Sequence, residues 1–464
     1  MAQNSKKLSK ATAGIKRPGS DAFEQADASD SGLAQGSVLG VPQGSDSGLA
    51  QANVSTKWSW GLAGKRILVA VSAGVAAYKT CILVRDLMRA GANIKIVMTE
   101  AARAFVSAET FQALSGEPVF TDLWDDRIHN RMAHIELGRW AEAILIAPAS
   151  ADLMARLAHG ICNDLISTLC LARPREQCLL LMAPAMNREM WSHPATQRNA
   201  ARLQQDGVLM LGPDRGDQAC GETGDGRMLE PEDLLQALEH ALSPKLLAGR
   251  FCVITAGPTF EAIDPVRGIT NRSSGKMGFA IAKAASQSGA IVQLIAGPVS
   301  LATPWQVQRR DVVSARDMKQ AVDQAIDSLP KAAVEASIFI SVAAVADWRP
   351  ATLASQKIKK QQGESAPSLS FVENPDILAS VAARRPRPFC VGFAAESEML
   401  HEHGEAKRKT KNVPLLAANI GHETFGQDLN QLLLLDEQGA NALPLATKEK
   451  LAQQLIEAIA SRLA

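Results

Sequence analysis

The sequence predicts an α/β protein built from two successive doubly wound domains. Three observations carry that expectation. Short apolar runs alternate with amphipathic helical stretches from Lys65 onward, the apolar runs are continuous rather than alternating, and the pattern lapses once, around Ser243-Pro244-Lys245. Continuous apolar strands belong to parallel sheets buried on both faces, and the helices between them form the covering layers. Both halves therefore read as Rossmann-like, with ligands expected where strands end. Fold alone decides no function.

In the first half, Ile67–Val71 reads as a strand, Ser72-Ala73-Gly74 as a turn and Val75–Ala90 as a helix stopped by Gly91. Leu83, Val84, Leu87 and Met88 recur at helical spacing, while Arg85, Asp86 and Arg89 face outward. Ile94–Met98, Ala143–Ala147 and Leu179–Met182 are the next strands. The second half repeats the scheme, with strands at Phe251–Thr255, Ile291–Ile295, Ile338–Val342, Phe389–Phe393, Leu415–Ala418 and Leu432–Leu435. Helices are expected at Gly278–Gln287, with Gly289 as its stop, and at Lys448–Leu463.

The 464 residues suggest about three units at roughly 150 residues each. The N-terminus is not one of them. Residues 1–57 are rich in Ser, Gly, Ala, Gln, Asp and Lys, and repeat Ser-Asp-Ser-Gly-Leu-Ala-Gln at 29–35 and 45–51. So polar a stretch cannot bury enough apolar surface to offset chain entropy. The expected organisation is a disordered tail over 1–60 and domains over 61–243 and 249–464.

Forty-nine basic against 48 acidic residues leave a formal charge of +1, which points to neither a nucleic-acid nor a membrane partner. No apolar run reaches the ~18 residues that span a bilayer. Lys6, Lys7 and Lys10 have no apolar stretch behind them, and Asp21, Glu24, Asp27 and Asp30 argue against an organelle-targeting peptide. Seven cysteines, odd in number and without a C-x-x-C pair, fit a reducing compartment. A cytoplasmic protein is expected.

The turn at Ser72-Ala73-Gly74 suits phosphate: backbone amides and the positive helix end would face an anion, with the Ser72 hydroxyl as a further donor. It lacks a full G-x-G-x-x-G, and Thr99 rather than an acid closes the next strand, which favours a mononucleotide over a dinucleotide. An ordinary βα turn would carry the same residues. His134 beside an apolar stretch reads equally as a structural histidine, and Asn187 as a turn residue. Tyr78, the only tyrosine, is expected to pack against a neighbour. Cys220, followed by Gly221 and close to Asp217 and Glu222, reads as a loop thiol, whereas Cys252 and Cys390 lie within apolar strands. Cys162, Cys170 and Cys178 receive no role.

Their combination is more specific. Ser-x-Gly-x-Ala-Ala-Tyr-Lys at 72–79, His134, Ala-Pro-Ala-Met-Asn at 183–187 and Ala-Cys-Gly at 219–221 follow the order of the flavin-dependent cysteine decarboxylases. Residues 64–240 resemble phosphopantothenoylcysteine decarboxylase. The resemblance implies a flavodoxin-like flavoprotein domain with FMN, which would oxidise the cysteinyl side chain to a thioaldehyde, release carbon dioxide and return the electrons to the enethiol. It implies His134 as base and orienting group, Asn187 as binder of the departing carboxylate and Cys220 as proton donor. Ser72, Gly74, Thr99, Ser150 and Met186 are the implied flavin contacts. It also implies a homo-oligomer, trimeric or larger, with flavin at subunit contacts.

In the second half, Asp264–Gly278 packs Arg267, Asn271, Arg272, Ser273, Ser274 and Lys276 into one glycine-punctuated loop, a donor density suited to phosphate or carboxylate. Ala343–Trp348 and Gly392–Glu396 end strands, Lys357–Lys360 and Lys407–Lys411 add basic clusters, and Asn374-Pro375-Asp376-Ile377 opens a helix. Each alone could be a solvated surface. As a series they resemble phosphopantothenate–cysteine ligase across residues 249–464. The resemblance implies that CTP converts 4′-phosphopantothenate to an acyl-cytidylate and that cysteine then displaces CMP, with Mg2+ accompanying the triphosphate. Arg267 and Asn271 would handle the activated carboxylate, and Lys357 the charge of that step. Ser341, Val342, Ala343, Asp347, Asn374, Pro375, Asp376, Ile377, Phe393, Lys407 and Lys411 would surround the nucleotide.

The expectation is a two-step enzyme of coenzyme A biosynthesis, ligase followed by decarboxylase. The rivals are a decarboxylase of peptidyl C-terminal cysteine, which leaves the second half without purpose, and a non-catalytic flavin-fold binder, which needs no proton donor. Two departures from the family pattern stand out. Ala73 replaces a common glycine, and Gly268 replaces a bulkier residue after the loop arginine, leaving the packing there open.

Overall fold

The computed structural model describes residues 60–127, 132–219, 221–359, 368–396, 399–420 and 426–463. The expected tail, apart from Trp60, and Cys220 lie outside the described residues. In the first half, β1 (Arg66–Val71), β2 (Asn93–Met98), β3 (Val119–Phe120), β4 (Ala143–Ala149), β5 (Leu179–Pro184) and β6 (Leu209–Met210) form one sheet in the order β3-β2-β1-β4-β5-β6. All its pairings are parallel. Alternate residues of β1 explain the continuous apolar pattern: Ile67, Val69 and Val71 enter one core, Leu68 and Ala70 the other. The helix Ala77–Arg89 covers the first face through Leu83, Val84 and Leu87; Leu153 and Met154 of Ala151–His159 cover the second. An antiparallel hairpin, β7 (Asp214–Asp217) and β8 (Thr223–Arg227), follows the sheet.

The second half is laid out alike. Its strands are β9 (Phe251–Ala256), the hairpin β10 (Phe260–Ala262) and β11 (Gly268–Thr270), β12 (Ile291–Ala296), β13 (Val307–Asp311) and β14 (Ile338–Ser341). Then come the small pair β15 (Trp348–Pro350) and β16 (Phe371–Glu373), β17 (Phe389–Glu396), β18 (Leu415–Ile420), β19 (Leu429–Asp436) and β20 (Gly439–Thr447). The main sheet runs β13-β12-β9-β14-β17-β18-β19-β20, with the last two strands antiparallel. Each sheet reverses its winding once, between β1 and β4 and between β9 and β14. At such a reversal the chain departs to opposite faces and a crevice opens beyond the carboxyl ends of the strands.

The expected strands are present with ends moved by a few residues, and the last helix occupies Lys448–Leu463. The first helix starts at Ala77 rather than Val75, because Gly74–Ala76 form a turn closed by Ala77 N–H donating to Gly74 O at 3.0 Å. The hairpin partner of β19 was not expected. In β20 only Leu443 is buried, so half-exposed alternation hid it; the signal was the turn in which Asp436 Oδ1 accepts the N–H groups of Gln438 at 2.8 Å and Gly439 at 3.1 Å.

The halves exchange tryptophans. Trp60 packs on the second-half core and its Nε1–H donates to Glu457 Oε1 at 2.5 Å, while Trp305 packs on the first-half core and its backbone N–H donates to Gln236 Oε1 at 3.2 Å. Between them, Glu239 Oε2 accepts from Lys283 Nζ at 2.8 Å and from Gln287 Nε2 at 3.2 Å.

Candidate active sites

At the first reversal Ser72 is 1% exposed. Its Oγ–H donates to Pro148 O at 2.8 Å and its Oγ accepts Ser150 N–H at 2.9 Å. Its one hydroxyl hydrogen is thus engaged, and Ser72 ties the ends of β1 and β4 together. Thr99 caps the turn after β2 by accepting Ala102 N–H at 3.2 Å, and Ser150 caps its helix by accepting Leu153 N–H at 3.3 Å. Those caps occupy lone pairs, and both hydroxyl hydrogens remain without an acceptor among the described residues. The amides of Gly74, Val75 and Ala76 likewise meet no acceptor among the described residues.

A cleft of about 520 Å3 opens beside this turn, lined by Gly74, Val75, Ala76, Tyr78, Lys79, Ala185, Met186, Asn187, Asp217, Gln218, Ala219, Gly226, Arg227 and Met228. Gly74, Met186 and Asn187 are therefore brought together, and Ala219 lines the same cleft. Tyr78 is 55% exposed on the cleft wall. Lys79 is buried, donating to Glu230 Oε1 at 2.8 Å and Met228 O at 3.3 Å, and this bond holds Glu230 below the usual carboxylate range. His134, on the helix Ala133–Trp140, is not among the lining residues of the cleft, and its buried Nδ1 has no hydrogen-bond partner among the described residues. Cys252 and Cys390 are buried, and burial pushes both thiols up, Cys390 to about 12. Cys170 and Cys178 are buried too, while Cys162 is exposed.

The second reversal holds two adjoining clefts, about 840 Å3 and 420 Å3, which share Ala343, Val345, Phe393 and Lys407. The smaller contains Ser341, Ala343, Asp347, Asn374, Pro375, Asp376, Ile377, Phe393, Lys407 and Lys411; Val342 lines the larger. Sequence positions some seventy residues apart thus meet at one sheet edge. Asn374 is fixed by its Nδ2 donating to Ala346 O at 2.8 Å, and Asp376 caps Ala379 N–H at 2.9 Å while pairing with Lys411. Burial alone would raise the Asp376 carboxyl; the Lys411 ammonium and the capped amide outweigh it and lower it.

The larger cleft is lined by Asn271, Arg272, Ser273, Ser274 and Lys276, with Asn271 Nδ2 donating to Ala344 O at 2.8 Å. Two expected residues are not there. Arg267 donates to Asp264 Oδ2 at 3.0 Å and 2.6 Å and to Ile358 O at 2.7 Å, and Ile358 N–H returns to Asp264 at 3.1 Å. Arg267 therefore clamps two loops together, with its side chain 48% exposed. Lys357 is exposed beside that clamp and lines neither cleft, and Lys360 lies outside the described residues. Sequence reasoning missed Lys448, a buried lysine on the larger cleft whose ammonium burial, and then Lys276, lowers. Its only sequence signal was its place at the strand-to-helix junction.

Two family models match the chain: Flavoprotein over residues 58–243, and the DNA/pantothenate metabolism flavoprotein C-terminal domain over residues 247–463. The coenzyme A biosynthesis bifunctional protein CoaBC of Vibrio cholerae is 48% identical over 402 residues, covering 86% of this chain and 98% of the relative. This chain belongs to that bifunctional family. The Escherichia coli member is 48% identical over 408 residues and the Bacillus subtilis member 40% over 408, each covering 86% of this chain and 98% of the relative. Among solved structures, the C-terminal domain of a CoaBC protein is 34% identical, covers 47% of this chain and 98% of its own, and gives a TM-score of 0.39. The FMN-dependent cysteine decarboxylase SpaF is 33% identical, covers 39% of this chain and 96% of its own, and gives 0.34. Family membership makes the chain a flavoprotein and a two-activity enzyme of coenzyme A biosynthesis, both decarboxylase and ligase.

Proposed function

We propose that the second-half clefts join cysteine to 4′-phosphopantothenate with CTP and that the first-half cleft decarboxylates the product to 4′-phosphopantetheine with FMN. The observation that carries this reading is the pairing of the two clefts. In each, motif residues distant in sequence line one crevice at a sheet reversal.

The first cleft fits FMN by its chemistry. Unsatisfied amides at Gly74–Ala76 and the hydroxyl hydrogens of Thr99 and Ser150 suit a phosphate. Val75, Met186 and Met228 offer apolar walls to a flat ring, and about 520 Å3 lies within the usual range for small-ligand sites. When bound, the flavin accepts and returns the electron pair that makes the substrate's carboxylate able to leave. Asn187 holds that carboxylate through its amide without neutralising it. Cys220 donates the proton that the enethiol takes up as it is reduced to the product. His134 orients the thiol, and its absence from this chain's own cleft supports a site completed by a second copy. Val75 and Tyr78, exposed on the cleft wall, and Ile82, exposed on the same helix as Tyr78, support the same homo-oligomeric reading.

In the second half, the base and ribose lie in the smaller cleft and the phosphates reach Lys407, Lys276 and the Ser273–Gly275 loop of the larger. These cations face charge that develops during acyl transfer. Among the described residues no group of three or more His, Cys, Asp or Glu gathers at a metal-binding distance. Mg2+ would therefore be held chiefly by phosphate oxygens and water, as this ion commonly is. No helix among the described residues is long and apolar enough to cross a membrane; a cytoplasmic location fits the reducing-compartment cysteine pattern.

The test is to incubate the FMN-loaded full chain with 4′-phosphopantothenate, cysteine and CTP and to follow products by mass. Appearance of 4′-phosphopantetheine is expected. Accumulation of 4′-phosphopantothenoylcysteine would remove the decarboxylase assignment, and no acylated cysteine at all would remove the ligase assignment.

A further inference from the structure

We propose that Glu222 sets the balance between carboxylate-bearing substrate and carboxylate-free product in the first cleft; the proposal rests on the decarboxylase reading. Asn187 Oδ1 accepts Glu189 N–H at 2.8 Å, which fixes the amide so that Nδ2 faces the β7–β8 hairpin. That Nδ2 donates to Glu222 Oε2 at 2.6 Å. A carboxylate of the chain itself therefore occupies the amide group assigned to the substrate's carboxylate.

The contact is built into the docking of the hairpin. Met186 N–H donates to Gly226 O at 2.9 Å and Arg188 N–H to Gln218 Oε1 at 3.0 Å. Gly226 has φ +137°, and a Cβ there would lie 2.4 Å from Met186 O, so only glycine lets the strand come this close. Glu222 is 41% exposed along its side chain, with Arg188 Nε at 3.9 Å.

When a substrate carboxylate reaches Asn187, Glu222 must either leave Nδ2 or lie beside a second negative charge. Either raises the free energy of the carboxylate-bearing complex. Once carbon dioxide has left, the product carries no such charge and Glu222 settles back on the amide. Glu222 thus disfavours the bound carboxylate and tolerates its absence, which makes it a positioning residue that favours loss of the group.

The test measures affinity of the FMN-loaded full chain for two ligands by titration calorimetry. One is 4′-phosphopantothenoylserine, which keeps the carboxylate but lacks the oxidisable sulfur; the other is 4′-phosphopantetheine. Glu222→Gln should tighten the serine ligand by roughly fivefold, the scale of a partly exposed charge interaction, and leave 4′-phosphopantetheine within about twofold. Glu222→Asp should retain the wild-type ratio. A Glu222→Gln ratio equal to wild type, or equal weakening of both ligands, overturns the proposal. Wild-type protein that binds neither ligand overturns the decarboxylase reading and this proposal with it.

Discussion

Gly268→Ala should destabilise the second half through one methyl group. A Cβ at this position would lie 2.3 Å from Phe260 Cζ, 2.6 Å from Phe260 Cε1 and 2.8 Å from Glu261 O, whereas ordinary contact begins near 3.4 Å. The ring would have to retreat by the difference, 1.1 Å. Its backbone cannot follow. Phe260 N–H donates to Val313 O at 2.8 Å, and the neighbouring Glu261, 3% exposed, accepts Ala315 N–H at 2.9 Å. Overpacking of this kind costs about 1–3 kcal/mol. The structure thereby answers the packing question raised by Gly268: the Phe260 ring fills the volume that a larger residue would take. Urea denaturation followed by tryptophan fluorescence should show a lowered midpoint for Gly268→Ala. In Phe260→Ala/Gly268→Ala the clash with the ring is gone and only the Glu261 O contact remains, so the two changes should couple by about 1 kcal/mol or more. A single variant with the wild-type midpoint, or a double variant equal to the sum of the singles, would refute the reasoning.

Two further outcomes are expected. Burial first, and Lys245 second, lower His240 from 6.5 to about 4 despite its backbone bond with Ser286. A histidine depressed in the folded state stabilises above pH 6.5, and that contribution falls away as pH drops toward 4. The full shift corresponds to about 3 kcal/mol, reduced to about 1–2 kcal/mol because the ring is partly solvated. His240→Gln should therefore lose less thermal stability than wild type between pH 7.5 and 5, and equal losses in a melting series would contradict this. Asp264, held well below the usual carboxylate range by Arg267 first and by the Val266, Ile358 and Arg267 amides, anchors the loop entering the larger cleft. Asp264→Asn should slow ligation by roughly tenfold, the scale of a lost charged hydrogen bond, while decarboxylation of supplied 4′-phosphopantothenoylcysteine stays unchanged; equal slowing of both reactions would argue against a local clamp.

Where sequence reading succeeded, the physics was local. Ile67–Val71 and Ile338–Ser341 declare themselves as strands because both faces of a parallel sheet are apolar. The Asn374–Ile377 motif and the Pro-Ala-Met-Asn turn are contiguous, so residue type and order sufficed to read the first as a helix opening and to set the second after a strand. Where it stopped short, the arrangement depended on a partner remote in sequence. Arg267 carries the same guanidinium whether it meets a ligand or Asp264, and Ser72 the same hydroxyl whether it meets a phosphate or Pro148. Lys448 looked like the start of a terminal helix until the sheet edge brought it to the larger cleft.

By itself, the order of apolar runs, turns and polar motifs determined two doubly wound halves and the chemistry that each family motif implies. Hydrophobic periodicity and turn residues act over a few neighbours, so they are written along the chain. Only the tertiary structure decided which donors are already satisfied, Asn187 by Glu222 and Lys411 by Asp376, and which space is already filled, as by Phe260 over Gly268. The exchange of Trp60 and Trp305 across the boundary between the halves was equally unwritten. A side chain's hydrogen bonds and available volume are set by atoms tens to hundreds of residues away, and no local pattern encodes them.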